Sequence, residues 1–159
     1  MSESAYTETH RELVSHVRYG YWFNASCEKA YGRLDLLLNV LQLVGGSIAV
    51  VSILKTSETL TALMAGILAF AAAVALLVQP SVKAERHRQA KCAFLDLEGR
   101  AWHVATDALE QQLARARQDA PIGIDLLAVP AFNATMRAIG QEDAQKPETI
   151  WQRALAAVA

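Results

Sequence analysis

The sequence predicts an all-α membrane protein with an N-terminal helix, a two-span transmembrane helical hairpin, a long helix after it and short C-terminal helices. Three observations carry this. The runs Leu36 to Leu54 and Leu60 to Val78 contain no ionisable side chain, only Lys55-Thr56-Ser57-Glu58-Thr59 separates them, and the flanking regions repeat apolar residues at helical spacing. A bilayer core about 30 Å thick requires roughly 20 helical residues at about 1.5 Å each, close to the length of each run. The expected divisions are a cytoplasmic helix over 1–33, the hairpin over 34–79 with spans near 34–54 and 60–78, and a cytoplasmic helical region over 80–159.

The N-terminal helix is expected from about Thr7 to Gly32, where Val14, Val17, Tyr21, Ala25 and Glu28 form an apolar face interrupted by charge, the pattern of a helix packed on protein. Trp22 is expected to pack and Tyr31 to sit at a membrane interface. The helix runs into the first span. That span carries Asn39 and Gln42, with Asp35 just before it, whereas the second holds nine Leu, Ile, Phe and Val residues. On an insertion scale these nine favour the bilayer by about 3 to 5 kcal/mol. A soluble bundle with two fully buried central helices is the alternative, but a soluble core helix usually keeps a polar stripe and Leu60 to Val78 has none.

After the second span, Pro80 permits a restart, and no further Pro or tight-turn signal intervenes before Asp119-Ala120-Pro121, so one long helix is expected. Along it Ala90, Phe94, Leu97, Ala101, Val104 and Ala108 alternate at spacings of four and three, extended by Leu109 and Leu113. This is the spacing of a bundle or coiled-coil seam. It closes either on the N-terminal helix of the same chain or between subunits, which makes Phe94, Leu97, Ala101, Val104 and Leu109 the helix-packing or oligomer positions. A short amphipathic segment follows from Leu126 to Ile139, with Gly140 as its C-cap. The last helix is expected from about Pro147 to Val158, with Ile150, Trp151, Leu155 and Val158 on its apolar side.

Basic residues set the expected orientation. Lys29 and Arg33 precede the first span and Lys83, Arg86, Arg88 and Lys91 follow the second, which places both termini in the cytoplasm. The first ten residues lack the basic and apolar segments of a cleavable signal peptide, so the hairpin itself is the expected insertion signal. The cluster Lys83, Arg86, Arg88 and Lys91 is a membrane-surface anchor near anionic head groups. A net charge of −1 gives no argument for direct nucleic-acid binding. Cys27 and Cys92 belong to no Cys-x-x-Cys or Cys/His cluster and are expected as free thiols.

The most informative polar pattern lies in the first span. Asp35, Asn39, Gln42, Gly46 and Ala49 are spaced four, three, four and three, so they share one helix face, polar at one end and small at the other. Such a face either packs on the second span, whose Ala62, Ala65, Gly66, Ala69, Ala72 and Ala73 permit close approach, or lines a water-filled pore in a ring of subunits.

Enzymatic signatures are scarce. No Gly-rich phosphate loop, His-Glu-x-x-His or nucleophile elbow occurs, so no catalytic residue, metal or cofactor is assigned. Arg11-Glu-Leu-Val-Ser-His16 fits the loose Arg-x4-6-His spacing of HEPN ribonucleases, a match that ten Arg and four His produce about once by chance.

The segment Tyr21-Trp-Phe-Asn-Ala-Ser-Cys-Glu-Lys-Ala-Tyr31 before the hairpin, Val78-Gln-Pro-Ser-Val-Lys-Ala-Glu-Arg-His-Arg88 after it, and the stretch through Ala131-Phe-Asn133 to Met136-Arg-Ala-Ile-Gly140 together resemble the SLATT domains of bacterial conflict systems, over about residues 10 to 140. The resemblance implies an oligomeric membrane effector that perturbs the envelope when an infection sensor, often a nucleotide-signalling partner, triggers it. Ala84-Glu85-Arg86-His87-Arg88 and Asn133 match its motifs, and no catalytic role comes with them. The expectation is therefore a pore-forming or membrane-depolarising defence effector that is not an enzyme, contacts lipid and forms a homo-oligomer. The alternatives are a non-conducting scaffold that regulates a soluble partner, and an Arg11/His16 ribonuclease.

Overall fold

In the computed structural model, which describes residues 3–45 and 58–159, the described residues are all-helical and contain no strand. The helices are α1 (Glu3–Gly45), α2 (Glu58–Val78), α3 (Pro80–Ala101), α4 (Thr106–Asp119), α5 (Ala128–Ala138) and α6 (Ile150–Val158), with short 3-10 turns at Asp125–Leu127 and Glu142–Ala144. The chain divides into two compact units. One comprises residues 1–30 and 83–159, and the other residues 31–82.

The first unit is built on the seam. Val14 and Val17 of α1 pack with Phe94, Leu97 and Ala101 of α3 and with Leu109 and Leu113 of α4, all buried. The heptad-like spacing therefore closes on the N-terminal helix of the same chain. At its centre Gly20 lets the Phe94 ring lie against the α1 backbone, because a Cβ at that position would overlap the ring. Two ion pairs flank the seam, Arg18 with Glu98 at 2.6 Å and Lys91 with Glu28 at 2.5 Å.

The single long helix expected between Pro80 and Asp119 is instead two, interrupted over residues 102–105. No Pro or Gly marks the break. Its stability comes from a distant residue: the His10 Nε2–H donates to the Ala101 carbonyl at 3.0 Å, and Nδ1 then accepts from the Thr106 hydroxyl at 3.0 Å, so one imidazole serves the end of α3 and the start of α4. Asp107 in the first turn of α4 suits its N-terminal dipole. Val104 consequently lies in the connection, partly buried against the core, rather than on a helix.

Two later boundaries also have local causes. Pro130 falls in the first turn of α5, where its missing N–H removes no internal bond. That helix ends in a Schellman arrangement, with Gly140 at φ +73° and Gln141 N–H donating to the Met136 carbonyl at 2.9 Å. The last helix begins at Ile150 rather than near Pro147, because Thr149 forms a capping box with Gln152 through bonds of 2.9 and 3.2 Å.

The described part of the second unit exposes most of its large apolar side chains. Its buried apolar residues among those described are Leu38, Ala71 and Pro80, while Leu43, Phe70 and Leu77 are 77%, 72% and 85% exposed. Among the described residues one helix, Ala65–Ala101 across the α2 and α3 segments, is long and apolar enough to cross a membrane, and only 11% of its most apolar window is buried. Within it Gln79 adopts φ +48°, since Pro80 disfavours right-handed helical geometry in the residue before it and offers no N–H. The remainder of the first apolar run, Gly46 to Leu54, lies outside the described residues.

Gly20→Ala is expected to lower stability by about 1 to 3 kcal/mol through overpacking against Phe94. Gly99→Ala, whose added Cβ meets nothing within 4 Å, is expected to raise it by up to about 1 kcal/mol. Thermal denaturation of the detergent-solubilised variants checks both signs.

Candidate functional site

Three sets of residues bear on function: the polar face of α1 in the second unit, the polar contacts buried in the first, and the open grooves of the first.

In the second unit Asp35 and Asn39 form a single ladder step. The Asn39 Nδ2 donates to Asp35 Oδ2 at 3.0 Å, as residues one turn apart can. Asn39 is exposed, and Asp35 and Gln42 are half-buried beside Leu38. Around them Leu36, Leu37, Val40 and Leu43 are exposed. The Asp35–Asn39 pair is thus an outward polar strip on a surface that is otherwise aliphatic. Gly46 and Ala49, the small end of the expected face, lie outside the described residues.

The first unit contains a buried polar junction. Asn24 Nδ2 donates to the Gly20 carbonyl at 2.8 Å, and its Oδ1 accepts from His87 Nδ1 at 2.8 Å, with both side chains essentially inaccessible. The Ile122 backbone also hydrogen-bonds with the ring and the adjacent Ile124 N–H donates to Cys27 Sγ at 3.4 Å, so α1, α3 and the 121–124 segment meet here. Gly123 is required at this point, because a Cβ there would strike the Phe23 ring and come within 3.0 Å of Cys27 Sγ. Burial pushes the His87 pKa below its ordinary 6.5, assisted by Lys83 and opposed by the Ile122 bond and Glu28. Burial likewise pushes the Cys27 thiol up, against the Ile124 N–H, which leaves exposed Cys92 as the accessible thiol.

The residues quoted for the family resemblance converge on such contacts. Asn24 and Cys27 belong to the first of those segments and His87 to the second. Asn133, from the third, holds the approach to α6: it donates to the Lys146 carbonyl at 2.9 Å and Glu148 Oε1 at 2.8 Å, and accepts from Lys146 N–H at 2.8 Å.

The chain matches no protein-family model, no curated protein and no solved structure.

The expected basic cluster is not uniformly positive. Arg88 pairs with Glu85 at 2.7 Å and Lys91 with Glu28, while Arg86 borders a groove with Gln89, Asp119 and Pro121. Arg11 and His16 do not share a site in one chain. Arg11 borders a groove of about 650 Å³ with Glu8, Arg18, Trp102, Met136 and Ile139, and His16 borders another with Glu110 and Arg117. Among the described residues no group of His, Cys, Asp and Glu has the geometry to hold a metal ion.

The Asn24–His87 junction was missed as a site because the seam was counted on apolar residues alone. Extending it backward finds it: His87, Ala90, Phe94, Leu97 and Ala101 keep spacings of three and four, as do Val17, Gly20, Asn24 and Cys27.

Because the folded state holds His87 neutral, acidification through the ordinary histidine range protonates the unfolded chain first. Stability is retained above that range and lost as pH falls from about 7 to 5. Thermal melts are expected to show this loss, reduced in His87→Asn. A maleimide is expected to label Cys92 rapidly and Cys27 only on denaturation.

Proposed function

We propose that the chain is a membrane-embedded effector that assembles from several copies into a pore or depolarising lesion, with the first unit on the cytoplasmic side of a bacterial inner membrane. The observation that carries this reading is the exposed Asp35–Asn39 pair on an aliphatic surface. Polar groups at membrane depth face protein or a water-filled cavity rather than hydrocarbon, so a single copy leaves this strip in the wrong solvent. Subunits arranged around it give it water. Gln42, half-buried one turn further along, extends the same lining.

The apolar Ala65–Ala101 helix supports membrane residence, and the resemblance to SLATT domains supports a role in anti-phage defence under the control of an infection sensor or nucleotide-signalling partner. The positive-inside pattern supports the orientation. Chemistry on a substrate has no part in this reading; the output is ion flux. The scaffold reading draws on the open grooves of the first unit, which could seat a soluble partner. It requires no polar strip in the membrane.

Asn39→Leu combined with Gln42→Leu is expected to abolish ion flux across liposomes, by at least about tenfold, while the protein still inserts, because filling the strip with aliphatic carbon removes the water path. Flux at the wild-type level from the inserted double variant would sink the pore reading and favour the scaffold.

A further inference from the structure

The large apolar side chain most open to solvent among the described residues lies in a connection, not on a helix. Ile122 is 94% exposed and stands in the 121–124 segment between α4 and the turn at Asp125–Leu127. That segment is held at every residue. Pro121 fixes its own φ, the Ile122 backbone hydrogen-bonds with the His87 ring, Gly123 lies too close to Phe23 and Cys27 to admit a Cβ, and the Ile124 N–H donates to Cys27 Sγ. A pinned backbone thus holds a stiff, branched apolar side chain outward.

The same pins locate the segment within the first unit. The chain leaves this unit after Ala30 and re-enters it at Lys83, with both apolar runs in between. Cys27 and His87 stand about one helical turn from those two crossings, since a helix advances about 5.4 Å per turn. Ile122 therefore belongs to the end of the unit from which the apolar segments depart. Exposed Lys29, Lys83 and Arg86 share that end. Arg86 borders the groove that Asp119 and Pro121 also line, and it forms no ion pair among the described residues. Glu28 and Glu85 are answered by Lys91 and Arg88, so the cations at this end outnumber the remaining carboxylates nearby, Asp119 and Asp125.

We propose that Ile122 is an interfacial anchor, seated at the boundary of head groups and acyl chains in the bilayer that holds the apolar unit, with Lys83 and Arg86 against lipid phosphates. The partner is the lipid surface. A single aliphatic plug flanked by cations suits head groups, which part for it anywhere, whereas a protein partner needs a broad apolar centre. The two chain crossings keep this end of the unit within reach of lipid. The anchor rests on the membrane residence in the reading above and adds a third point of attachment to the two crossings. Three points hold the unit against the bilayer, where two would let it swing.

The test is electron paramagnetic resonance on the full-length chain carrying Cys92→Ser, in vesicles of phosphatidylcholine and phosphatidylglycerol, with a nitroxide label on Ile122→Cys. Oxygen concentrates in the bilayer and a nickel chelate stays in water. The ratio of oxygen to nickel collisions is expected to be at least about threefold higher at Ile122→Cys than at Gly99→Cys, an open position near the far end of α3. Omitting phosphatidylglycerol is expected to lower it about twofold, as Lys83 and Arg86 lose anionic partners. A label on Leu126→Cys, half exposed in the following turn, is expected to shift the same way while Ile122 is intact and to lose the shift in Ile122→Asp, which removes any contribution from the label's own affinity for lipid. Nickel contact at Ile122→Cys equal to that at Gly99→Cys would overturn the anchor. Low contact with both reagents would overturn it in favour of a protein over Ile122. A label on Leu77→Cys reports membrane residence separately: lipid there with water at Ile122→Cys removes the anchor alone, and water at both removes the membrane reading with it.

Discussion

The buried hydrogen bond between Asn24 and His87 sets the terms for the first unit. Two polar side chains with almost no access to water must satisfy each other, and a buried unsatisfied group costs about 1 to 3 kcal/mol. A slip of either helix by one residue would break that bond and rotate the Phe94 ring away from Gly20. Apolar seams tolerate sliding far better than a single donor and acceptor do. The pair thus supplies register to a contact whose strength comes from Val17, Phe94, Leu97 and Leu109.

The helical class and the seam were legible because both depend on periodicity, which survives in a bare string of residues. Phe94, Leu97, Ala101 and Leu109 could be named from spacing alone. What spacing could not give was whether they met another copy or the chain's own α1, since both partners present the same apolar chemistry. The interruption after Ala101 was invisible for a different reason. Its carbonyl is served by His10, more than ninety residues earlier, and local propensity carries no record of a contact so remote. The start of α6 was misplaced because Pro147 is an equally good signal inside a first turn and just before a cap; the Thr149–Gln152 box decided it.

The candidate site divides in the same way. Asp35, Asn39 and Gln42 were identifiable as one face from the helical period, and their burial adds the part that periodicity lacks, namely that Asn39 points out of its own unit. The basic cluster was overcounted, because sequence reports charges and not their partners: Lys91 and Arg88 are each answered by a glutamate. Conversely, the exposed apolar face of α6 contradicts the ordinary rule that amphipathic helices bury their greasy side, and a rule applied in its usual sense conceals such a case.

The left-handed Gln79 and the proline after it have a consequence for how such chains diversify. Pro80 and His87 are seven residues apart, close to two helical turns, so the residue that restarts the helix and the residue that anchors it lie on nearly the same side. An insertion or deletion of one residue between them would turn Pro80 by about 100° relative to His87, and only a change of about two full turns would return both to the same side of the helix.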